Sequence, residues 1–135
     1  MQKPTTFLMF DGKAEEAIHL YMSLLPNSEI KSIARYGPSE SGFEGKVLKA
    51  VVSLNGQELM FFDSAVKHDF TFTPAISLFV NCETEAEIDG LFEGLSQDGA
   101  VFMPLAPYPF SQKFGWVADR FGVSWQLNLT NADQR

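Results

Sequence analysis

Alternating polar side chains near the end of the chain are the clearest sign of chemistry in this sequence. The stretch GVSWQLNLT, residues 122–130, spaces Ser124, Gln126 and Asn128 two residues apart. The positions around them are apolar: Val123, Trp125, Leu127 and Leu129. A strand with this alternation is half buried, so its polar row faces either solvent or a cavity. Because an amide both donates and accepts hydrogen bonds, Gln126 suits a carbonyl or hydroxyl group of a neutral ligand.

Few other residues in the sequence offer reactive groups. Glu58 is a weak candidate for a general base, since a carboxylate in apolar surroundings can have its pKa raised, although one near a strand start is more often solvated. Cys82 is the single cysteine, which excludes an internal disulfide and is typical of an inert, partly buried thiol. The sequence neighbours of His19 and His68 are typical of surface or packing positions. No set of nucleophile, base and orienting group can therefore be named.

Composition limits the classes of partner. The 135 residues are 45% hydrophobic and carry 10 Lys and Arg against 17 Asp and Glu, a net charge of -7. Such a chain can bury one core, and it repels nucleic-acid phosphates and anionic lipids. No apolar run approaches the roughly 20 residues of a membrane helix, and the start MQKPTTFLMFDG lacks a secretory pattern. We expect one cytoplasmic domain that binds neither nucleic acid nor membrane.

The first half of the sequence predicts the order β-α-β-β-β. A short apolar strand over residues 5–10 ends at Asp11 and Gly12, which can cap the helix that follows. That helix carries apolar residues at positions 14, 17, 18, 21, 24 and 25. Three more strands are predicted over residues 30–36, 47–54 and 58–63, the last two joined by an Asn55-Gly56 hairpin turn.

The second half of the sequence repeats this order. A strand is predicted over residues 75–80, and Thr84 with Glu87 forms a capping box ahead of an apolar helical stripe that ends before Gly99. Three strands follow over residues 100–103, 114–118 and 124–129, with a proline-rich loop at 104–109 between the first two. Matching element order in the two halves indicates an internal repeat.

Three segments carry a resemblance to a known family: HDFTFTPAISLFV from His68, MPL at Met103, and FGWVADRFGVSWQL from Phe114. They resemble the PhnB-like branch, labelled 3-demethylubiquinone-9 3-methyltransferase, of the vicinal oxygen chelate superfamily. That superfamily includes glyoxalase I, extradiol dioxygenases and bleomycin-resistance proteins. The resemblance implies an α+β, glyoxalase-like domain in which two tandem βαβββ units, residues 1–65 and 70–130, curl mixed β-sheets around a cavity with the helices outside.

Metal-dependent members of the superfamily take one ligand from the first and last strands of each unit. The matching positions here are Thr5, Met60, Ala75 and Gln126. None is His, Asp or Glu, and these side chains offer a divalent cation little affinity. The resemblance and this departure from it together predict a protein without a metal ion or other cofactor.

Strand parity divides the predicted sheets into two faces. One face, apolar throughout, should pack on the helices: Leu8, Phe10, Leu59, Phe61, Ile76, Leu78, Val80, Trp125 and Leu127. The mixed face, which includes Ser124, should line the cavity. The ligand-binding candidates on it or at its mouth are Phe7, Met60, Phe62, Ser77, Tyr108, Trp116, Gln126 and Asn128. The alternative is that the polar groups bond one another or ordered water.

Three functions remain to be compared. A site for an adenosyl methyl donor commonly uses a glycine-rich turn in a doubly wound sheet, and the chain contains no G-x-G and no alternation of strands and helices, which argues against methyl transfer. The resemblance to resistance proteins implies binding of a small, partly aromatic or hydrophobic molecule without turnover. The alternative is an enzyme of the same superfamily acting on a small molecule. The resemblance also implies a homodimer.

Overall fold

The computed structural model describes residues 1–38 and 42–130 of the chain. The chain divides into two compact units, Met1–Thr71 and Phe72–Arg135. In the first unit the elements are β1 (Thr6–Phe10), α1 (Ala14–Leu24), β2 (Glu29–Arg35), β3 (Val47–Leu54) and β4 (Gln57–Asp63). In the second they are β5 (Ser77–Cys82), α2 (Glu85–Ser96), β6 (Ala100–Tyr108), β7 (Ser111–Ala118) and β8 (Ser124–Leu129). The predicted βαβββ repeat is confirmed.

Each unit contains a four-stranded mixed sheet with the same topology. The first sheet has the order β1-β4-β3-β2 and the second β5-β8-β7-β6. In both, the first and last strands of the unit run parallel, whereas the other neighbouring strands are antiparallel. The sheets are curled but not closed, which agrees with the predicted α+β class.

In the first unit, α1 packs its apolar stripe on one face of the sheet. Ala17, Ile18 and Tyr21 are fully buried on the helix, and Tyr21 lies 6.0 Å from Phe61 between ring centroids. Leu8, Phe10, Leu59 and Phe61 are buried on the sheet, as the parity of β1 and β4 predicts. These side chains form the core of the first unit.

The start of α1 is not capped by the residues that precede it. The prediction that Asp11 and Gly12 cap this helix is wrong, because Lys13 occupies the N-cap position without a side-chain hydrogen bond. The buried carboxylate of Asp63 takes this role instead: its Oδ1 accepts from Ala14 N at 2.9 Å and its Oδ2 from Val47 N at 3.1 Å. One side chain at the end of β4 thus satisfies the first amide of the helix and the first amide of β3.

In the second unit, α2 begins as predicted. The side chain of Thr84 accepts from the backbone of Glu87 at 3.1 Å, and Glu87 Oε1 accepts from the backbone of Glu83 at 2.8 Å. The helix buries Ile88, Leu91 and Leu95. On the sheet, Val117, Trp125 and Leu127 are buried.

Gly115 allows this helix to approach the second sheet closely. A Cβ atom at this position would lie 2.7 Å from the ring of Phe92 on α2. The face of β7 that carries Gly115 is therefore the helix side, and Trp116, its neighbour in sequence, faces the other way.

Two sequence-based boundaries in the second unit are wrong. The proline-rich segment is not a loop, because β6 continues through it to Tyr108 with repeated register shifts against β7. β6 lies at the edge of the sheet, so the missing backbone N–H groups of Pro104 and Pro107 do not interrupt the hydrogen bonds between strands. The segment before β5 begins with a turn, in which Thr73 accepts from Ile76 N, so Ile76 is 70% exposed and does not join the apolar face.

The buried carboxylate of Asp63 generates a stability prediction. Asp63→Ala removes the acceptor of two backbone amides, and each amide left unsatisfied costs about 1–3 kcal/mol. We therefore expect the free energy of unfolding, measured by urea denaturation, to fall by more than about 2 kcal/mol. Asp11→Ala is the matched control, and as an exposed substitution it should change stability by less than about 0.5 kcal/mol. Equal losses in the two variants would contradict the assignment of the cap.

Candidate functional site

The face of the second sheet that points away from α2, here called the open face, carries the polar row found in the sequence. Register aligns Ser77 with Ser124, Phe79 with Gln126, and Asn81 with Asn128 across β5 and β8. β7 places Trp116 opposite Gln126 on its other side. Gln126 therefore occupies the middle of a cross-strand row between two aromatic residues, Phe79 and Trp116.

A hydrogen-bonded network connects four side chains of the open face. Trp116 Nε1 donates to Ser124 Oγ at 2.8 Å, and Ser124 Oγ lies 2.7 Å from Ser77 Oγ. Gln126 Nε2 donates to Ser77 Oγ at 3.2 Å. We call Ser77, Trp116, Ser124 and Gln126 the central network. The polar side chains converge on this face, as the alternation predicts. They also hydrogen-bond one another, which is the alternative considered from the sequence.

The amide oxygen of Gln126 is the free group of the central network. Among the described residues, no side chain or backbone amide donates to Gln126 Oε1, and every buried side-chain nitrogen or oxygen has a hydrogen-bond partner. Because Gln126 is half-buried, its oxygen lies within reach of solvent. The open face thus presents one hydrogen-bond acceptor at its centre.

Aromatic rings stand on both sides of this oxygen. Phe79 is 55% exposed, and the half-buried Trp116 makes an edge contact with Phe102 at 5.3 Å between ring centroids. Since neighbouring strands lie about 4.8 Å apart, Phe79 and Trp116 flank Gln126 across about 10 Å of sheet. The ring of Phe79 also contacts that of Phe114, the register neighbour of Asn128 on β7, at 6.4 Å between ring centroids. The open face therefore offers exposed aromatic surface beside Gln126.

Two further predicted site residues lie beside the central network with partners of their own. Asn128 Nδ2 donates to Asn81 Oδ1 at 3.0 Å, and Asn128 Oδ1 accepts from the hydroxyl of Ser111. The hydroxyl of Tyr108 donates to the carbonyl of Pro104 at 2.7 Å, and its ring packs on Phe110 and Phe114. The polar groups of both residues are therefore already engaged.

The remaining predicted residues belong to the first unit. Phe7 pairs with Met60 in register, and its ring lies 5.7 Å from that of Phe62. Phe7 is 53% exposed, so these residues form an apolar patch of their own on the first sheet. Glu58 lies near the start of β4 and is exposed. Its carboxylate therefore lies in solvent and not in the apolar surroundings expected for a general base on this strand.

Sequence reasoning missed Phe102 and Asn81 as neighbours of the site. Phe102 lies in the irregular part of β6, where a register shift between Val101 and Met103 disturbs the period-two pattern. Asn81 follows the predicted end of β5, which the structure extends to Cys82. A signal for Asn81 was present in the alternation of Ser77, Phe79 and Asn81.

Cys82 is buried and unreactive in this setting. Burial raises the pKa of its thiol to about 11, with a further contribution from the negative charge of Glu87. A thiol with so high a pKa is almost entirely protonated at neutral pH, whereas the thiolate is the nucleophile. Cys82 therefore packs as a small apolar side chain.

The donor groups at the candidate ligand positions are unsuited to a metal ion. Within residues 1–38 and 42–130, no group of three or more His, Cys, Asp or Glu side chains could hold a metal ion. The four positions that the resemblance matches to metal ligands, Thr5, Met60, Ala75 and Gln126, supply a hydroxyl, a thioether, a methyl group and an amide. Thr5 and Ala75 precede β1 and β5 in the structure and so do not lie in the strands to which they were assigned. This donor set does not suit a divalent cation. Neither α1 nor α2 has the length and apolar composition of a membrane-spanning helix.

Two βαβββ units, each with a curled mixed sheet and one helix, define a glyoxalase-fold protein of the vicinal oxygen chelate superfamily. Residues 2–128 match the family described as 3-demethylubiquinone-9 3-methyltransferase. The chain therefore belongs to this PhnB-like family. A search of curated proteins gave no match.

Solved structures agree with the family assignment. A PhnB protein from Bacillus cereus that carries the same family description is 62% identical, with a TM-score of 0.93 over 96% of this chain and 100% of that one. The protein PA1353 from Pseudomonas aeruginosa is 27% identical, with a TM-score of 0.84 over 97% and 99%. The fosfomycin resistance protein FosX from Listeria monocytogenes is 12% identical and shares the fold, with a TM-score of 0.63 over 99% and 96%.

Proposed function

We propose that this PhnB-like protein binds a small, neutral, partly aromatic molecule on the open face of the second sheet, without a metal ion. The observation that carries the proposal is the position of Gln126 Oε1, an unpartnered acceptor among the described residues, between Phe79 and Trp116. Aromatic walls with a few directed polar groups are typical of small-molecule sites. The hydrogen bond to Gln126 would orient the ligand while the rings supply contact area.

The central network favours a rigid site. Trp116 has its indole nitrogen bound to Ser124, so the plane of its ring is fixed before any ligand arrives. A rigid aromatic wall lowers the ordering cost of binding. An aromatic contact contributes about 0.5–1.5 kcal/mol and a hydrogen bond about 1 kcal/mol, so two aromatic contacts and one hydrogen bond contribute about 2–4 kcal/mol. A one-ring molecule should therefore bind with a Kd of roughly 1–30 mM.

Methyl transfer, which the family description names, finds no support in the residues of this chain. An adenosyl donor is commonly held by backbone amides of a glycine-rich turn between a strand and a helix. Here the turn before α2 is closed by the side chains of Thr84 and Glu87, which occupy amides at that helix start. Catalysis of another kind would need a general base, and exposed Glu58 is a weak candidate. We therefore place binding ahead of turnover.

A homodimer belongs to the same proposal, as the family resemblance implies. Large apolar side chains remain exposed in each unit, among them Val66 and Phe70 in the first and Ile76 in the second, and their burial between two copies would favour association. Light scattering during size-exclusion chromatography should give about twice the 15.1 kDa of one chain. A single species at the mass of one chain, at micromolar concentration, would refute the dimer.

The metal-free proposal has a direct thermal test. FosX has been crystallised in complex with Mn(II), so manganese, zinc and nickel are suitable probes. An ion that binds the native state raises the melting temperature by mass action. We expect neither EDTA nor any of the three ions to change it beyond experimental scatter. A reproducible rise of several degrees with one ion would show that the donor set binds metal after all.

Gln126→Leu tests the binding proposal. A screen of neutral aromatic fragments by protein-observed NMR should give hits that shift the resonance of the Trp116 indole N–H. Loss of one buried hydrogen-bond partner costs about 1–3 kcal/mol, so Gln126→Leu should weaken these hits by roughly tenfold to a hundredfold.

Gln112→Leu, an exposed change on β7, is the matched control and should leave binding of the same fragments unchanged. Thermal melting establishes that both variants fold. Hits that bind Gln126→Leu as tightly as the parent protein, or a screen without hits near Trp116, would exclude the open face as the binding site.

A further inference from the structure

The central network fixes how many hydroxyl protons remain for a ligand. Ser124 Oγ accepts from Trp116, and Ser77 Oγ accepts from Gln126. The two serine oxygens are 2.7 Å apart and share a single hydrogen bond, in which one hydroxyl donates to the other. Each serine has one proton. Whichever serine donates in this shared bond, the other keeps a proton that no group of the network accepts.

Burial decides which serine keeps the free proton. Ser124 is 2% exposed, whereas Ser77 is half-buried at the start of β5. A hydroxyl proton left without an acceptor in a buried position is costly, so Ser124 donates to Ser77. The resulting chain runs from Trp116 to Ser124 to Ser77, and the hydroxyl of Ser77 donates toward the open face. Donation in series strengthens the last donor, because each bond polarises the next.

The open face therefore offers a donor and an acceptor side by side. The donor is the hydroxyl of Ser77, and the acceptor is Gln126 Oε1, whose amide nitrogen is held on that same serine. The residues that surround them in the cross-strand rows, Phe79, Trp116 and Ser124, are uncharged. An ion on this surface would lose hydration without a counter-charge.

We infer that the site, in the binding role proposed above, selects a neutral planar ring that carries an N–H group next to a carbonyl, as in a cyclic amide. The ligand N–H donates to Gln126 Oε1, and its carbonyl accepts from the Ser77 hydroxyl. The ring of the ligand contacts the side chains of Phe79 and Trp116, the register neighbours of Gln126. Both hydrogen-bonding groups of the ligand stand on one edge, which matches the hydrogen-bonded pair of Ser77 and Gln126, diagonal neighbours on β5 and β8.

The test compares two probes that differ by one methyl group. 2-Pyridone has the N–H and carbonyl on one edge, whereas N-methyl-2-pyridone keeps the ring and the carbonyl but lacks the donor. Titrations followed by protein NMR should give a Kd for 2-pyridone that is at least about tenfold lower, because the methylated probe leaves Gln126 Oε1 without its partner.

Gln126→Met tests whether the difference between the probes arises at the amide. Methionine has a similar length but offers no comparable acceptor, so the two probes should bind this variant equally weakly. Gln112→Met is the matched control and should preserve the tenfold ratio. The test compares the affinities of two probes for the same variant. Partial unfolding would weaken both probes equally and would therefore leave their ratio unchanged. Gln126→Leu replaces Gln126→Met if the latter does not fold.

Ser77→Ala tests the donor half of the pair. Both probes carry the carbonyl, so loss of the Ser77 hydroxyl should weaken them by the same factor and leave their ratio unchanged. Ser23→Ala, the same change on the exposed face of α1, should affect neither probe. Full affinity for both probes in Ser77→Ala would overturn the assigned direction of the network.

Failure of this inference can be distinguished from failure of the binding function. Equal binding of the two probes to the parent protein, with both weakened by Trp116→Ala, overturns the donor and acceptor assignment but leaves aromatic binding on the open face intact. Binding of neither probe also overturns the assignment, while the neutral fragment screen decides the binding function separately.

Discussion

The carboxylate of Asp119 is the interaction on which the open face depends. It is buried at the turn before β8, where Oδ1 accepts from the backbone of Phe121 at 2.9 Å and of Val123 at 3.1 Å, and Oδ2 accepts from Trp125 Nε1 at 2.9 Å. The two backbone bonds hold the turn, and the indole bond holds Trp125 on the helix side. Because successive residues of a strand face opposite ways, this anchor directs Gln126 to the open face.

The two units share a topology but have diverged in their polar anchors and in their open faces. In the first unit the buried carboxylate is Asp63, which holds the start of α1 and of β3 and leaves the face around Phe7 and Met60 apolar. In the second unit the carboxylate lies at the last turn and the open face carries the central network. The same β-sheet order therefore supports an apolar patch in one unit and directed hydrogen bonding in the other, and fold alone does not predict a site.

Local patterns in the sequence predicted most of the fold, and contacts between distant residues account for what was missed. The helix period, the capping box at Thr84 and the alternation through Gln126 each depend on residues within a few positions of one another, and all three hold in the structure. The cap of α1 could not be found in this way, because Asp63 lies 49 residues from Ala14. Likewise, only the edge position of β6 explains how its prolines remain in a strand.

For the site, parity placed Gln126 correctly on a mixed face, but the use of its amide depends on Ser77, again 49 residues away. A single sequence shows neither this bond nor the burial difference that assigns the free hydroxyl to Ser77. The same alternation identified the predicted site residues of both units. In the structure, however, each set lies on the sheet of its own unit. Alternation identifies a face, whereas register identifies neighbours.

The amide at position 126 determines the chemistry of the open face in two ways. A carboxylate there would bring the charge that attracts a divalent cation, but it would have no proton to give to Ser77. The Ser77 hydroxyl would then turn toward that carboxylate, and the donor directed at a ligand would be lost. An amide of the same length keeps the face neutral and supplies the N–H that occupies Ser77 Oγ. The same atoms that make the site unsuitable for a metal ion thus set the direction of its hydrogen bonds.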